Sequence, residues 1–266
     1  MKYLFTICGR AGSKGVKNKN LKDFLNYPLV YYSLAAIYLY KNKYGKNDTV
    51  ITTLNTDSDE LIKIVTKQKS IPIYVIKREE NLCGDFVSKV DVIKDCFYKT
   101  TAECSMNCDM IVDLDITSPL RTVSDLKNVI DIKNQRQDID AVYTVVHSRR
   151  NPYFNMVKEE NGYFVKAIAS NYTARQQAPV MYDMNASIYA YSPLALTKKQ
   201  SNIFFNDKCG AVLMKDTAVL DIDSEEDFLL MQVIAEYFFN THENYKEIRD
   251  MVVNMDKSKK LDLRHE

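Results

Sequence analysis

Short apolar runs alternate with helix-like periodicity along the first half of the chain. Lys2–Cys8 has the length and character of one buried strand and leads into a loop rich in Gly, Lys and Asn that lasts to Asn20. Pro28 suits the first turn of a helix whose apolar face carries Leu29, Leu34, Ile37 and Leu39. Thr49–Leu54 predicts a second strand. Ser58 predicts the cap of a helix running to about Gln68, with Asp59 and Glu60 in its first turn, where anions are favoured. A third strand is predicted over Ile71–Ile76, then a helix opened by Ser88 and bearing Val90, Val92, Ile93 and Phe97. Met110–Leu114 is strand-like, and Val123–Ile132 is helical after Thr122. Strands separated by helices predict an α/β fold with a mostly parallel sheet wrapped by helices.

From Asp140 the pattern changes. Ala141–Val146, Tyr163–Ala167 and Ser187–Tyr191 resemble strands joined by loops, which predicts an irregular lobe over roughly 145–190 inserted in the main domain. Ala211–Leu213 and a helix from Ser224 to about Tyr237 would return the chain to the first sheet. The expected division is one domain over 1–240 carrying the lobe, then a helical tail over 241–266 with an amphipathic stretch at Ile248, Met251, Val252 and Met255.

Composition narrows the class. With 266 residues, 46% hydrophobic and 27% charged, the chain can bury one sizeable core. A net charge of +1 offers no general attraction to nucleic acid or anionic membrane, so basic residues matter through where they cluster. The apolar start is one strand long and runs into Gly9-Arg10, unlike a secretory signal, and the run from Pro28 to Tyr40 is too short to span a bilayer. A cytoplasmic location is the expectation, and with it six reduced cysteines. Cys104 and Cys108 form the one close pair; without two further soft ligands they read as loop or core cysteines.

The densest chemistry lies in Cys8–Asn20. Gly9, Gly12 and Gly15 let backbone approach a ligand, and Arg10, Lys14, Lys17 and Lys19 add four cations behind a buried strand. That combination suits a triphosphate, although the loop is neither a Walker A sequence nor a Gly-x-Gly-x-x-Gly turn. In open α/β sheets ligands collect beyond the carboxyl ends of strands, and this cluster, like the later polar ones, follows a predicted strand.

This loop resembles the Ala-Arg-x-Gly-Ser-Lys-x-x-x-x-Lys-Asn signature of the acylneuraminate cytidylyltransferases, also called CMP-sialic acid synthetases. Four more segments match in order: Thr56–Glu60, Arg78–Ser88, Thr117-Ser118-Pro119-Leu120-Arg121 and Asp221–Phe228. The resemblance implies a Rossmann-like nucleotidyltransferase fold with a small inserted dimerisation lobe. It also implies a homodimer in which Arg149, Arg150 and Arg175 are candidates for crossing the interface. It assigns Arg10, Ser13, Lys14, Lys19 and Asn20 to the ribose and phosphates of CTP, and Arg78, Val87 and Ser88 to cytosine. Asp221 and Asp223 look like the metal-binding pair, and their i, i+2 spacing suits Mg²⁺, which takes few carboxylates together with phosphates and water. The alternative, that one of them caps the helix after Ser224, fits Asp227 better.

Departures from the family pattern bear on the sugar. Val87 and Lys89 stand where alanine and a second serine are usual, Asp115 where a glutamine faces the sugar, and Asp183 where arginine is usual. These variants resemble the bacterial branch that uses legionaminic acid, a di-N-acylated nine-carbon sugar. By family position Arg175 is the candidate for the sugar carboxylate, and Asn185, Tyr189, Phe204 and Phe205 for the pocket wall; the aromatics are equally well read as core. The resemblance implies that the sugar's anomeric hydroxyl attacks the α-phosphorus of CTP. Arg10, Lys14 and Asp223 would be the catalytic residues, and a second metal could serve in place of a base. His147, His242 and His265 fall in no matching motif. The alternatives are the same reaction on sialic, pseudaminic or 3-deoxy-manno-octulosonic acid, an inactive nucleotide-binding regulator, and a nucleic-acid-binding domain, which the charge balance disfavours.

Overall fold

The computed structural model describes residues 1–12, 15–84, 86–206 and 208–262, the last five and Ile203 and Val219 by backbone alone. Ser13, Lys14 and His265 lie outside the described residues.

Seven strands form one sheet: β1 (Lys2–Cys8), β4 (Thr49–Thr56), β5 (Tyr74–Lys77), β6 (Met110–Leu114), β7 (Ala141–His147), β10 (Tyr182–Tyr191) and β11 (Cys209–Leu213), in the order β11-β7-β10-β6-β1-β4-β5. Only β10 runs against its neighbours, β6 and β7. The other four pairings are parallel, so six strands point their carboxyl ends to one rim. Two short hairpins stand apart: β2 (Asp23–Phe24) with β3 (Tyr27–Pro28), and β8 (Val157–Glu160) with β9 (Tyr163–Lys166). The helices are α1 (Val30–Lys43), α2 (Asp59–Lys67), α3 (Lys89–Cys104), α4 (Val123–Gln135), α5 (Pro193–Lys198), α6 (Glu225–Thr241) and α7 (Glu243–Asp262).

Side-chain caps begin the helices where the sequence predicts them. Ser58 accepts a hydrogen bond from the Leu61 N–H and Ser88 from that of Val90. Thr122 with Asp125, and Ser224 with Asp227, close reciprocal capping boxes that satisfy otherwise orphaned amides.

Two boundaries differ from expectation. Pro28 pairs with Asp23 in the β2–β3 ribbon and α1 begins at Val30. The turn between them places both Leu25 and Asn26 at positive φ (49° and 72°), the primed geometry that suits tight hairpins, and this draws Pro28 out of the helix. The strand predicted from Ile71 starts only at Tyr74. The Gln68 side-chain amide takes both backbone groups of Ile71, donating to its carbonyl at 2.8 Å and accepting from its N–H at 3.0 Å. Pro72 has no N–H to offer a ladder.

The core lies on both faces of the sheet. On one face α1 is buried on nearly all sides, with α4 and α7 against it. Helix α7 contributes Tyr245, Ile248, Val252 and Met255, all buried. On the other, α3 and α5 cover β1 and β6 through Val90, Ile93 and Leu196, joined by Phe204 from the loop after α5. Residues 148–181 leave the sheet between β7 and β10 and carry the β8–β9 hairpin, whose Tyr163 and Phe164 are 75% and 74% exposed.

Candidate functional site

The strand-end rim is where parallel sheets collect ligands. From the β5 edge inward it carries Arg78 after β5, Asn55 at the end of β4, Gly9 and Arg10 after β1, and Asp115 after β6. Arg78 and Asp115 are thus three strands apart, about 14 Å along the rim. A cleft of about 430 Å³ opens over it, lined also by Gly15, Lys19, Asn20, Val87, Lys89, Thr117, Asp221 and Asp223.

The loop after β1 is fixed by its neighbours. The Gly9 N–H donates to the Asn55 carbonyl at 3.1 Å, the Ala11 N–H to Asp57 Oδ1 at 2.7 Å, and the Asn20 amide to the Arg10 carbonyl at 3.0 Å. The loop meets the late acidic segment directly. Lys19 Nζ donates to the Ile222 carbonyl at 2.5 Å and lies 3.3 Å from Asp223 Oδ1. A Cβ added to Gly15 would fall 2.1 Å from the Asp223 carbonyl oxygen, so glycine permits this approach and a larger residue would part the two segments. Between Asp221 and Asp223, Ile222 is fully buried, and this anchor leaves both acids lining the cleft. Asp223 is exposed; Asp221 is half-buried, and burial followed by the nearby charge of Asp115 raises its pKa above the usual carboxylate value.

At the β5 end, Arg78 is buried and aimed by Asn55. Its Nε donates to Asn55 Oδ1 at 2.7 Å and its Nη2 to the Asn55 carbonyl at 3.0 Å, while Asn55 in turn donates to Asp95 at 2.9 Å. Val87 lines the cleft beside it, and Ser88 spends its hydroxyl oxygen capping α3.

At the β6 end stand three residues to which the sequence alone assigns no role: Lys89, read only as a departure from pattern, Thr117, which opens the Thr-Ser-Pro-Leu-Arg segment, and Asp113, which falls in no motif. Asp113 is wholly buried in mid-strand and accepts from the Thr6 hydroxyl at 2.7 Å. Lys89 Nζ lies 2.8 Å from Asp113 Oδ2 and 2.5 Å from Asp115 Oδ2. Burial opposes the charge on Lys89, but the two carboxylates outweigh it and raise the pKa well above the usual lysine value. Burial likewise works to raise Asp115, yet Lys89 and the N–H and hydroxyl of Thr117 hold it down at about 2. Behind them the buried Arg121 guanidinium donates to the carbonyls of Asp115 and Ser118 and to the Ser33 hydroxyl, which fixes the loop that presents Asp115 and Thr117. The signal for this cluster was a charged residue, Asp113, inside an otherwise apolar strand, since such a charge needs a partner.

Of the expected sugar residues, Asp115 is in the cleft and Tyr189 is next to it, its ring centre 5.9 Å from Lys89 Nζ. The others lie elsewhere. Asn185 is buried at a bulge in β10, accepting from Thr144 Oγ1 at 2.6 Å, and its amide is directed to Met214. Phe204 is fully buried against Tyr191, ring centres 5.3 Å apart, so its ring belongs to the core. Phe205 packs edge-on to Tyr143 at 5.6 Å. Asp183 pairs with Val146 at the far end of β10, and the exposed Arg175 donates to the Ser148 carbonyl at 2.9 Å within the 148–181 segment. A second groove, about 380 Å³ and mostly apolar, runs between Tyr143, Val145, Tyr182, Met184, Ala211 and Leu213.

Comparison with known proteins bears on the family and the fold. The family model described as cytidylyltransferase matches residues 4–258. The chain is 35% identical over 235 residues to the post-translational flagellin modification protein B of Campylobacter coli, covering 88% of this chain and 94% of that one. It is 35% identical over 231 residues to the CMP-N,N'-diacetyllegionaminic acid synthase of Campylobacter jejuni subsp. jejuni serotype O:2, covering 87% and 94%. Among solved structures, a CMP:2-keto-3-deoxy-manno-octonic acid synthetase complexed with CTP shares the fold, with a TM-score of 0.61 at 14% identity over 89% of this chain and 99% of that one.

Proposed function

This chain belongs to the cytidylyltransferase family, and from that premise we propose that it joins CTP to a nonulosonic acid, N,N'-diacetyllegionaminic acid first, with Mg²⁺ as its metal. The observation that carries this reading is the contact between loop and acidic segment, Lys19 on Asp223 and Gly15 against the Asp223 carbonyl, at the centre of one cleft. The 35% identity to a synthase of CMP-N,N'-diacetyllegionaminic acid supports the choice of sugar.

The donor set suits the metal. Among the described residues no three carboxylate, thiol or imidazole groups form a ready cage. Mg²⁺ needs none, since it takes one or two carboxylates and completes its shell with phosphate oxygens and water. Asp221 and Asp223 would hold it, and bound there it would neutralise charge on the triphosphate. Arg10, Lys19 and the amides of the first loop would bind the triphosphate from the other side, with Lys14 as the further expected cation. Arg78, aimed by Asn55, would read the polar edge of cytosine. The anomeric oxygen of the acid forms a bond to the α-phosphorus as the α–β bridging bond breaks, pyrophosphate leaves, and the hydroxyl proton passes to solvent. Such transfer asks mainly for positioning and charge stabilisation, which these fixed groups would supply.

A homodimer is part of the proposal. Tyr163 and Phe164 on the β8–β9 hairpin, and Tyr182, Met184 and Leu213 at the second groove, are large apolar side chains left exposed, which is the kind of surface a partner covers. Among the described residues no helix is long and apolar enough to cross a membrane, and a cytoplasmic location, where CTP is available, is part of the proposal.

The test is pyrophosphate release from CTP with a panel of acids: diacetyllegionaminic, N-acetylneuraminic, pseudaminic and 3-deoxy-manno-octulosonic. The highest kcat/KM is expected with the first. Tight CTP binding without release, across the whole panel, would replace this reading with that of an inactive nucleotide-binding regulator.

A further inference from the structure

Lys89 and Asp115, 26 positions apart, are in contact on the cleft floor. The Lys89 ammonium has three N–H donors. One is donated to Asp115 Oδ2, the nitrogen is also within ion-pair distance of Asp113 Oδ2, and among the described residues no other acceptor takes a hydrogen bond from it. The side chain is 34% exposed and lines the cleft. On Asp115, Oδ1 accepts from the Thr117 N–H at 3.1 Å and the Thr117 hydroxyl at 3.0 Å, whereas Oδ2 takes Lys89 alone. The cleft is therefore offered one donor and one acceptor side by side. A hydroxyl, which gives one hydrogen bond and takes another, completes both; an apolar group leaves both unpaired.

We propose that Lys89 is a specificity-determining residue that, together with Asp115, reads a hydroxyl group of the acidic sugar. This rests on the function proposed above. Both the sugar and the ribose of CTP carry hydroxyls, and position favours the sugar. The pair sits at the β6 end of the rim, three strands from Arg78. Beside it are Tyr189 and the start of the chain's return from the 148–181 segment, where the Asp115 N–H donates to the Ser187 carbonyl at 3.2 Å. Asp113 and Arg121 hold the pair rigid from below.

Steady-state kinetics of Asp115→Asn, Lys89→Gln, Lys89→Arg and the Lys89→Gln/Asp115→Asn double variant test this, using the acid that the wild type prefers. Asp115→Asn keeps the Lys89–Asp113 ion pair, and Lys89→Arg keeps the charge over Asp113, so both remain informative if Lys89→Gln fails to fold. We expect KM for the acid to rise about tenfold or more in Asp115→Asn and Lys89→Gln, while KM for CTP stays within about twofold. Lys89→Arg should recover part of the loss, and the double variant should be no worse than the worse single one. Among single-deoxy analogues of the acid, one should be used equally by wild type and Asp115→Asn. A rise in KM for CTP alone would assign the hydroxyl to the ribose and overturn the proposal. So would a fall in melting temperature with both KM values unchanged, which marks a purely structural pair. A wild type that turns over no acid would overturn this together with the proposed function; an active wild type whose sugar KM ignores these substitutions overturns this alone.

Discussion

Between β5 and β6 the buried charged side chains are paired or hydrogen-bonded within one chain, whereas beyond β10 the molecule leaves rings uncovered. Arg78 is bonded to Asn55, Asp113 to Thr6 and Lys89, and Arg121 to three oxygens of the loops it underpins. On the other side Tyr163 and Phe164 are three-quarters exposed, and Tyr182, Met184 and Leu213 about half. Burying a charge costs several kcal/mol unless it is paired, so the first half must be settled during folding. Exposed aromatic surface carries no such penalty until a partner is present, so the second half can wait for one. The cleft side is thus held together largely within one chain, and the exposed rings mark the side that the proposed homodimer would cover.

Substitutions on each side should separate the halves. The largest effect is expected at Asp223, where Asp223→Asn should lower kcat by roughly 10³-fold with melting temperature nearly unchanged, because the side chain is exposed and bonded only loosely to Lys19. Pyrophosphate release at saturating CTP measures it; near-normal turnover would remove Asp223 from the metal site. On the lobe, the double substitution Tyr163→Ser/Phe164→Ser should weaken self-association by about 100-fold, since two buried aromatic anchors carry much of an interface. Sedimentation velocity over a concentration series reads this out, and an unchanged association constant would show that the hairpin is no interface.

A smaller effect is tied to pH. Asp115 is held at about 2 in the fold, below its ordinary value near 3.8. Its contribution is therefore present above the unfolded pKa and is lost as pH falls through the folded value. The stability gap between wild type and Asp115→Asn should shrink by about 2 kcal/mol between roughly pH 5 and pH 2. Denaturant titrations across that window test it, and a gap independent of pH would mean that Lys89 does not hold Asp115 ionised. Smallest is Ser224→Ala, which removes the acceptor capping α6 and should cost about 1 kcal/mol. Thermal unfolding measures that loss, and CTP affinity should move little if Ile222 alone anchors the acidic segment.

Local chemistry made much of this legible beforehand. Ser58, Ser88, Thr122 and Ser224 announce their helices because a cap is a contact within four residues. The strand–helix alternation up to Gln135 was likewise visible, since each element carries its own period. Pro28 and Ile71 misled because each was recruited by a neighbour, a primed turn in one case and the Gln68 amide in the other. Those are short-range contacts, but ones that side-chain periodicity does not record.

By itself the sequence determined the order of the elements, the cation-rich loop after the first strand and the late Asp-x-Asp segment, all of which are properties of a few consecutive residues. Only the tertiary structure decided that Lys19 meets Asp223, that Lys89 bridges Asp113 and Asp115, and that Asn185 and Phe204 serve the interior rather than the cleft. The physical reason is separation along the chain. Whether a charged or aromatic side chain faces a ligand or a neighbour is set by which strands the sheet places side by side, and strand order is a property of the whole fold.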